Sequence, residues 1–419
     1  MKEVMRKSLL KDVGRVIVIL EKGKGKENPD LERLKELSDH TIKDVALFKN
    51  LDAVSLAVLI YSIYKTLPCM SDENVKDLIA ELKFSQKHLS AKNLSMYNQS
   101  VKVLFSIIKR CNSEIKTHVG DVFHAAKIKK GVTLLQHGLS SSRAAELMGI
   151  SKWELLEYIG KTTTLDQHHE KVPVIKRFKL AENIFTSNDE NKILFFDAGP
   201  IITLAMSRLL WLLDPLKEEF GGRFYITEAV RKEIVERPLS IKRFEFEALQ
   251  VMKLIKDGIL EIYPSLPTSR VSQLTKLSNK TYRVDSKWVE IIQAGEMETV
   301  IASLKNNSAP ISMDERTMRL LIEDSNSLKS LLERRSRKKI IMDQNNVKIF
   351  QNEIGLMDII RSIELVSLAF KFGILNPYLP DIENPIETLL DSVLWNVKYN
   401  GCAVTEHELL ELKDYLLNK

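Results

Sequence analysis

The feature that most constrains this chain is a recurring local device in its second half, an apolar run that ends on a carboxylate and passes into helical sequence. Lys192-Ile-Leu-Phe-Phe-Asp197-Ala-Gly-Pro is one copy, reading as a buried strand that turns into a helix. Ala309-Pro-Ile-Ser-Met-Asp314 is another. Between them, Arg223-Phe-Tyr-Ile reads as a short strand, Thr227 as the N-cap of the next helix, and Glu233 as a residue in that helix's second turn. Gln293-Ala-Gly-Glu296-Met-Glu298-Thr-Val-Ile-Ala reads as a helix start with acids in its first turn. Strands that alternate with helices imply parallel connections, and so an α/β sheet.

Sites in open α/β sheets form at the carboxyl ends of the strands. Several carboxylates converging there repel one another unless a cation neutralises them, and hard divalent cations prefer oxygen ligands. Asp197, Glu233, Glu298 and Asp314 are therefore the expected ligands of magnesium or manganese, with Glu296 as the alternative to Glu298. Taken singly, each acid has a plainer reading as a solvated side chain or a helix-dipole partner.

This ordered set resembles the PIN-domain nuclease family over residues 192–371. The resemblance implies a three-layer α/β domain around a central parallel sheet and a metal-dependent ribonuclease. It also assigns Asp197, Glu233, Glu298 and Asp314 as catalytic and metal-binding acids, Asp197 and Asp314 being the metal-bridging strand-end pair. Two departures stand out. Ala198 and Gly199 replace the hydroxyl residue common after the first Asp, leaving Thr203 to supply one, and the third acid is Glu rather than Asp.

Positive charge follows the second strand-end acid. Arg316 and Arg319 would neutralise a substrate phosphate or pair with the acids. Arg334, Arg335, Arg337, Lys338 and Lys339 form a basic run that either holds RNA phosphates or is a solvated face. The sequences Ile340-Ile-Met and Val347-Lys-Ile-Phe are expected as closing strands, residues 358–372 as an amphipathic helix, and 385–417 as two helices around Asn400-Gly401 that complete packing or a homodimer face.

The first half reads as helical. Periodic stretches over residues 31–48 and 51–67 are separated by polar breaks, and residues 53–64 are apolar all round, as in a helix buried in a bundle. Residues 125–137, 140–147 and 152–159 read as three short helices joined at Gly138 and at Gly149-Ile150, with Ser151 capping the third. Ala144-Ala-Glu-Leu-Met-Gly-Ile-Ser151-Lys-Trp-Glu-Leu-Leu resembles a helix-turn-helix unit of small prokaryotic antitoxins. That likeness implies DNA contacts from Ser151 and Lys152, although Glu154 and Glu157 on the same helix suit a protein-interaction role equally. Residues 162–190, with a short helix over 173–185 and with His168 and His169 given no role, read as a linker that lies across the chain's own nuclease domain.

The expected organisation is thus an all-α domain at 1–124, a helix-turn-helix unit at 125–161, the linker, a PIN-like domain at 191–375 and a helical extension at 376–419. Cys69, Cys111 and Cys402 are too scattered for a disulfide framework or zinc site, which suits a reducing cytoplasm. No membrane segment or signal peptide is expected, and a net charge of +6 favours a polyanionic partner. The two resemblances together imply a toxin and antitoxin merged into one chain of prokaryotic, especially archaeal, type. The alternatives are a nucleic-acid-binding regulator or a translation-machinery docking protein with a silent PIN domain.

Overall fold

The structure is a computed structural model that describes residues 3–22, 30–48, 51–113, 119–136, 139–160, 172–187, 189, 191–284, 287–336 and 338–418. His168, His169 and Arg337 lie outside the described residues, as does the side chain of Arg335. The chain divides into two compact units, one of Met1–His137 with Ala144–Ile150, the other of Gly138–Arg143 with Ser151–Lys419. The division runs through the segment expected as one helix-turn-helix unit. No described helix is long and apolar enough to cross a membrane.

The first unit is all-helical. Its helices are Glu3–Lys22, Leu31–Phe48, Leu51–Thr66, Asp72–Ser90, Leu94–Ser113 and Val119–Gln136; the second and third match the periodic stretches at 31–48 and 51–67, and the last begins six residues before the helix expected at 125. The Leu51–Thr66 helix is the centre of the bundle, with Ala57, Leu59, Ile60 and Ile63 fully buried, which is why its sequence carries no polar stripe.

The second unit is built on a five-stranded parallel sheet. In chain order the strands are β1 (Ile193–Phe196), β2 (Arg223–Ile226), β3 (Glu261–Ile262), β6 (Ile311–Ser312) and β8 (Ile359–Ile360), and their spatial order is β3-β2-β1-β6-β8. Register is fixed by pairs such as Phe195 with Tyr225 and Phe195 with Ile311. Leu194, Phe195, Phe196, Phe224 and Ile311 are fully buried, so helices cover both faces and the strands need no polar side. Strand order reverses between β1 and β6, so the crevice at their carboxyl ends is the topological switch point, flanked by Asp197 and Asp314.

Several local expectations differ from the structure. The strand expected at Ile340-Ile-Met is present as β7 (Ile341–Met342), but it belongs to a second, antiparallel sheet with β4 (Tyr282–Val284) and β5 (Lys287–Trp288), in the order β5-β4-β7, whose other two strands were not foreseen because two or three residues carry no readable alternation. Val347-Lys-Ile-Phe lies in the helix Gln344–Ile354, capped by Asp343, and not in a strand. Residues 358–372 hold β8 before the helix Ser362–Lys371 begins.

The expected linker contains a helix, Val174–Thr186, that is integral to the second unit. Arg177 on it is 1% exposed, donates to both carboxylate oxygens of Glu323 at 2.8 and 2.9 Å, and donates to the carbonyl of Ile359 at 2.7 Å. The helix Glu406–Leu417 is tied in by Arg361, fully buried, which pairs with Glu364 and Glu408, and the helix Pro385–Tyr399 by Asn396, which donates to the carbonyl of Ser207 at 2.8 Å.

Candidate active site at the carboxyl edge of the sheet

Asp197 caps the helix Ala198–Met206, accepting from the N–H of Gly199 at 3.2 Å, and is 1% exposed. Its position follows from β1, whose last residue, Phe196, pairs with both Ile226 and Ser312. Thr227 caps the next helix as expected, but the chain then widens into a π-helical turn, Lys232–Glu236, and Glu233 sits in that turn. Such turns are frequent at functional sites because the extra residue re-aims a side chain.

The third acid is decided by the helix Ala294–Lys305. Glu296 closes a capping box by accepting from the N–H of Gln293 at 3.0 Å, and it is 2% exposed. Its other oxygen, Oε1, is buried without a hydrogen-bond partner. Glu298 instead accepts from the N–H of Ala229 at 3.2 Å and lines a cavity of about 480 Å³ with Thr275, Lys276, Lys280 and Trp288. Of the two candidates, Glu296 joins the acid cluster and Glu298 anchors a neighbouring helix start.

Asp314 is 5% exposed and turned toward protein donors. It accepts from Thr203 Oγ1 at 2.9 Å, from the N–H of Ser362 at 2.8 Å and from Ser362 Oγ at 2.8 Å, with Cys402 Sγ at 3.6 Å. Thr203 thus brings the expected hydroxyl to the acids. Burial raises the Cys402 thiol well above its ordinary pKa, and Asp314 raises it further, so it stays a neutral donor. Glu315, unforeseen from sequence, faces the cluster in place of Asp314. It accepts from the N–H of Ser141 at 2.9 Å and from Ser141 Oγ at 2.5 Å. The available signal was its place beside Asp314 at a strand-to-helix turn.

A lysine stands among these acids. Lys152 is 1% exposed, and its Nζ lies 3.6 Å from Asp197 Oδ2 and 3.6 Å from Glu233 Oε1. Burial alone would lower its pKa, but Asp197, Glu233, Glu296 and Glu315 together hold it above the ordinary lysine value, so the ammonium is charged. Glu296 shifts the other way: burial first, then Glu315, push it up to about 8, against the opposing pull of Lys152. Among the described residues no group of three or more His, Cys, Asp and Glu stands in a metal-ligating arrangement. Lys152 occupies the space between two of the would-be ligands.

The basic candidates separate into two groups. Arg316 is 5% exposed, and Arg319 is fully buried and donates to the carbonyls of Met313 and Asp314, at 3.1 and 2.5 Å. The helix Arg316–Glu323 that bears them is buried all round over residues 316–321. Arg334, Lys338 and Lys339 are exposed, but they lead from the helix Ser325–Ser336 into β7 of the small sheet. Ser151 and Lys152 are likewise unavailable to DNA: Ser151 is 6% exposed and spent on capping the helix Lys152–Gly160 through Glu154, and Lys152 is in the acid cluster.

Compared with known proteins, the chain matches no family model, no curated protein and no solved structure.

Proposed function

We propose that the second unit is a divalent-metal-dependent nuclease that hydrolyses RNA phosphodiester bonds, using Asp197, Glu233 and Glu296, with Glu315 and Asp314 beside them. The observation that carries the reading is the unpartnered Oε1 of buried Glu296, set with Asp197 at the switch point of a parallel sheet. A buried carboxylate oxygen without a donor is costly, and a cation is the partner that such a group of oxygens fits. Magnesium or manganese bound there would supply a Lewis acid that lowers the pKa of water and offsets phosphate charge.

The chain's own residues then have separate tasks. Asp197 and Glu233 supply negative charge from two different elements, and Glu296 supplies it from a third. Asp314 is held by Thr203 and Ser362, so it fixes the spacing of β6 against the helices that follow β1 and β8. The cavity beside Glu298, with Trp288 and two lysines, suits a single-stranded polyanion whose bases stack on an aromatic ring. The PIN-like order of acids supports RNA as the substrate class, with Glu296 in the third position.

A second reading is favoured by Lys152. An ammonium permanently neutralising the cluster would make this unit a catalytically silent platform within a nucleic-acid-binding regulator. Incubating labelled single-stranded RNA with manganese or magnesium and either the full chain or its Lys152→Met variant separates the two. Cutting that Glu296→Gln abolishes supports the nuclease. Intact RNA in every arm, from folded protein, leaves the silent platform.

A further inference from the structure

The first residues of the helix Ser141–Met148 and the helix Lys152–Gly160 do more than cover the sheet edge. One brings hydrogen-bond donors to the acids and the other a positive charge. Ser141 gives its N–H and hydroxyl to Glu315, Ser142 donates to Glu233 Oε1 at 3.3 Å, and Lys152 stands between Asp197 and Glu233. Trp153, fully buried, donates from Nε1 to the carbonyl of Glu233 at 3.3 Å and lies against Phe244 with ring centroids 5.5 Å apart. At the outer end of the helix, Glu157 pairs with Arg243.

We infer that Lys152 is a resident cation that stands in for the metal, so that this chain holds its own nuclease site latent until the helix Lys152–Gly160 withdraws. The inference rests on the nuclease reading for what is being restrained, but the competition between ammonium and metal stands on geometry alone. Lys152 Nζ is a buried charge with no hydrogen-bond partner, held only by carboxylates at 3.6 Å. That is the spacing of a counter-ion rather than of a fitted structural bridge, in which donor and acceptor close to about 2.8 Å. A divalent cation takes the same carboxylate oxygens and would lie against the ammonium, so the two are mutually exclusive.

The latch also explains why one lysine sits in a helix that is otherwise apolar or acidic. Its sequence, Lys-Trp-Glu-Leu-Leu-Glu-Tyr-Ile-Gly, offers a single cation to the cluster, and Trp153, Leu155 and Leu156 hold that cation in place by burial. Leu156 packs within 3.4 Å of where a side chain on Gly401 would begin, so the C-terminal segment seats the latch from the other side. Both latching pieces continue covalently into Ala144–Ile150, which clusters with the first unit.

The test is manganese binding by the full chain, read by electron paramagnetic resonance of free Mn2+. The Lys152→Met variant keeps the aliphatic stem and loses the charge, and is expected to bind Mn2+ about tenfold or more tightly than the parent, because the competent state no longer has to expel the ammonium. Glu157→Arg, which breaks the outer pair with Arg243 and leaves the cluster intact, is expected to shift binding in the same direction by less. It decides the matter if Lys152→Met does not fold. In the parent protein, saturating Mn2+ is expected to speed hydrogen exchange of the amides of Lys152–Gly160. Equal Mn2+ affinity in parent and variants, or helix exchange indifferent to Mn2+, overturns the latch whether or not RNA is cut. Tighter Mn2+ binding by Lys152→Met with no RNA cut by any form keeps the latch and removes the nuclease.

Discussion

The N–H of Asp197 donates to the carbonyl of Ser312 at 2.9 Å, which extends the pairing of β1 and β6 to the residue where both strands end. That bond sets the distance between Asp197 and Asp314, and Gly199 fits between them. A Cβ on Gly199 would stand 3.3 Å from Asp314 Cβ and 3.5 Å from Asp197 Oδ2. Gly199→Ala is expected to leave stability within about 1 kcal/mol of the parent, since the helical preference for Ala offsets the crowding. It should still weaken Mn2+ binding by spreading the two carboxylates. Thermal unfolding and Mn2+ titration of the same variant check both halves; unchanged metal affinity would mean the pair can spread at no cost.

Glu296 and Glu298 are two residues apart on one helix, and their replacement by Gln separates their roles. Glu296→Gln is expected to abolish RNA cleavage and to leave or raise stability, because it removes a buried carboxylate with an unpartnered oxygen. Glu298→Gln is expected to keep cleavage and to cost at most about 1 kcal/mol through a weakened bond to the N–H of Ala229. The reverse pattern in a side-by-side cleavage and denaturation series would return the third acid to Glu298.

That choice could not be made from sequence, and the reason is geometric. Residues two apart on a helix point roughly 200° away from each other, so only one of the pair faces the sheet edge, and which one depends on how the helix is rolled by its packing. Asp197 and Asp314 were legible because an apolar run closing on an acid fixes both the strand and its end. Glu315 was hidden behind Asp314 because the turn after β6, not the strand period, aims it. Lys152 carried no local signal for this place: at the start of its helix it reads as a DNA contact, and its partners lie 45 and 81 residues onward. Arg319 reads from sequence as a partner for a substrate phosphate or for the acids, whereas its helix is buried all round over residues 316–321 and its guanidinium is spent on backbone carbonyls.

Arg177 and Glu323 hold the helix Val174–Thr186 on the second unit. Arg177→Met leaves the Glu323 carboxylate and the Ile359 carbonyl without their donor, and is expected to cost about 3–5 kcal/mol in urea denaturation. Arg177→Lys should rescue little, since an ammonium cannot make the two-pronged bond and reach the carbonyl as well. A loss below about 1 kcal/mol for either variant would show that this helix is dispensable to the unit.

The buried and exposed basic residues should separate in an RNA-binding assay. Lys338→Gln with Lys339→Gln is expected to lower RNA affinity and to reduce the slope of log affinity against log salt by about 1.4, some 0.7 for each phosphate of a single strand that is no longer neutralised. Arg319→Met should destabilise the fold and leave that slope unchanged, because its guanidinium is spent on the carbonyls of Met313 and Asp314. A salt slope that responds to Arg319 and not to the two lysines would invert the assignment.

Lys152 itself predicts a stability signature that is independent of catalysis. Removing one member of a buried charged group is expected to cost about 3–5 kcal/mol, because Asp197 and Glu233 are left facing each other and Glu296 without a cation. Lys152→Met should therefore melt below the parent in metal-free buffer. Adding Mn2+ should raise its Tm by more than it raises the parent's, since a ligand stabilises in proportion to its binding to the folded state and the parent must first expel its ammonium. A variant as stable as the parent without metal would mean that the carboxylates are neutralised by protonation instead, as the raised pKa of Glu296, about 8, already allows for one of them. A carboxyl whose pKa is raised by folding keeps a proton that the unfolded chain has released, so stability falls with rising pH between the two pKa values. In that event the variant's Tm would fall from pH 4.5, the ordinary carboxyl value, to beyond 8, over a wider range than the parent's, in which Lys152 opposes the rise.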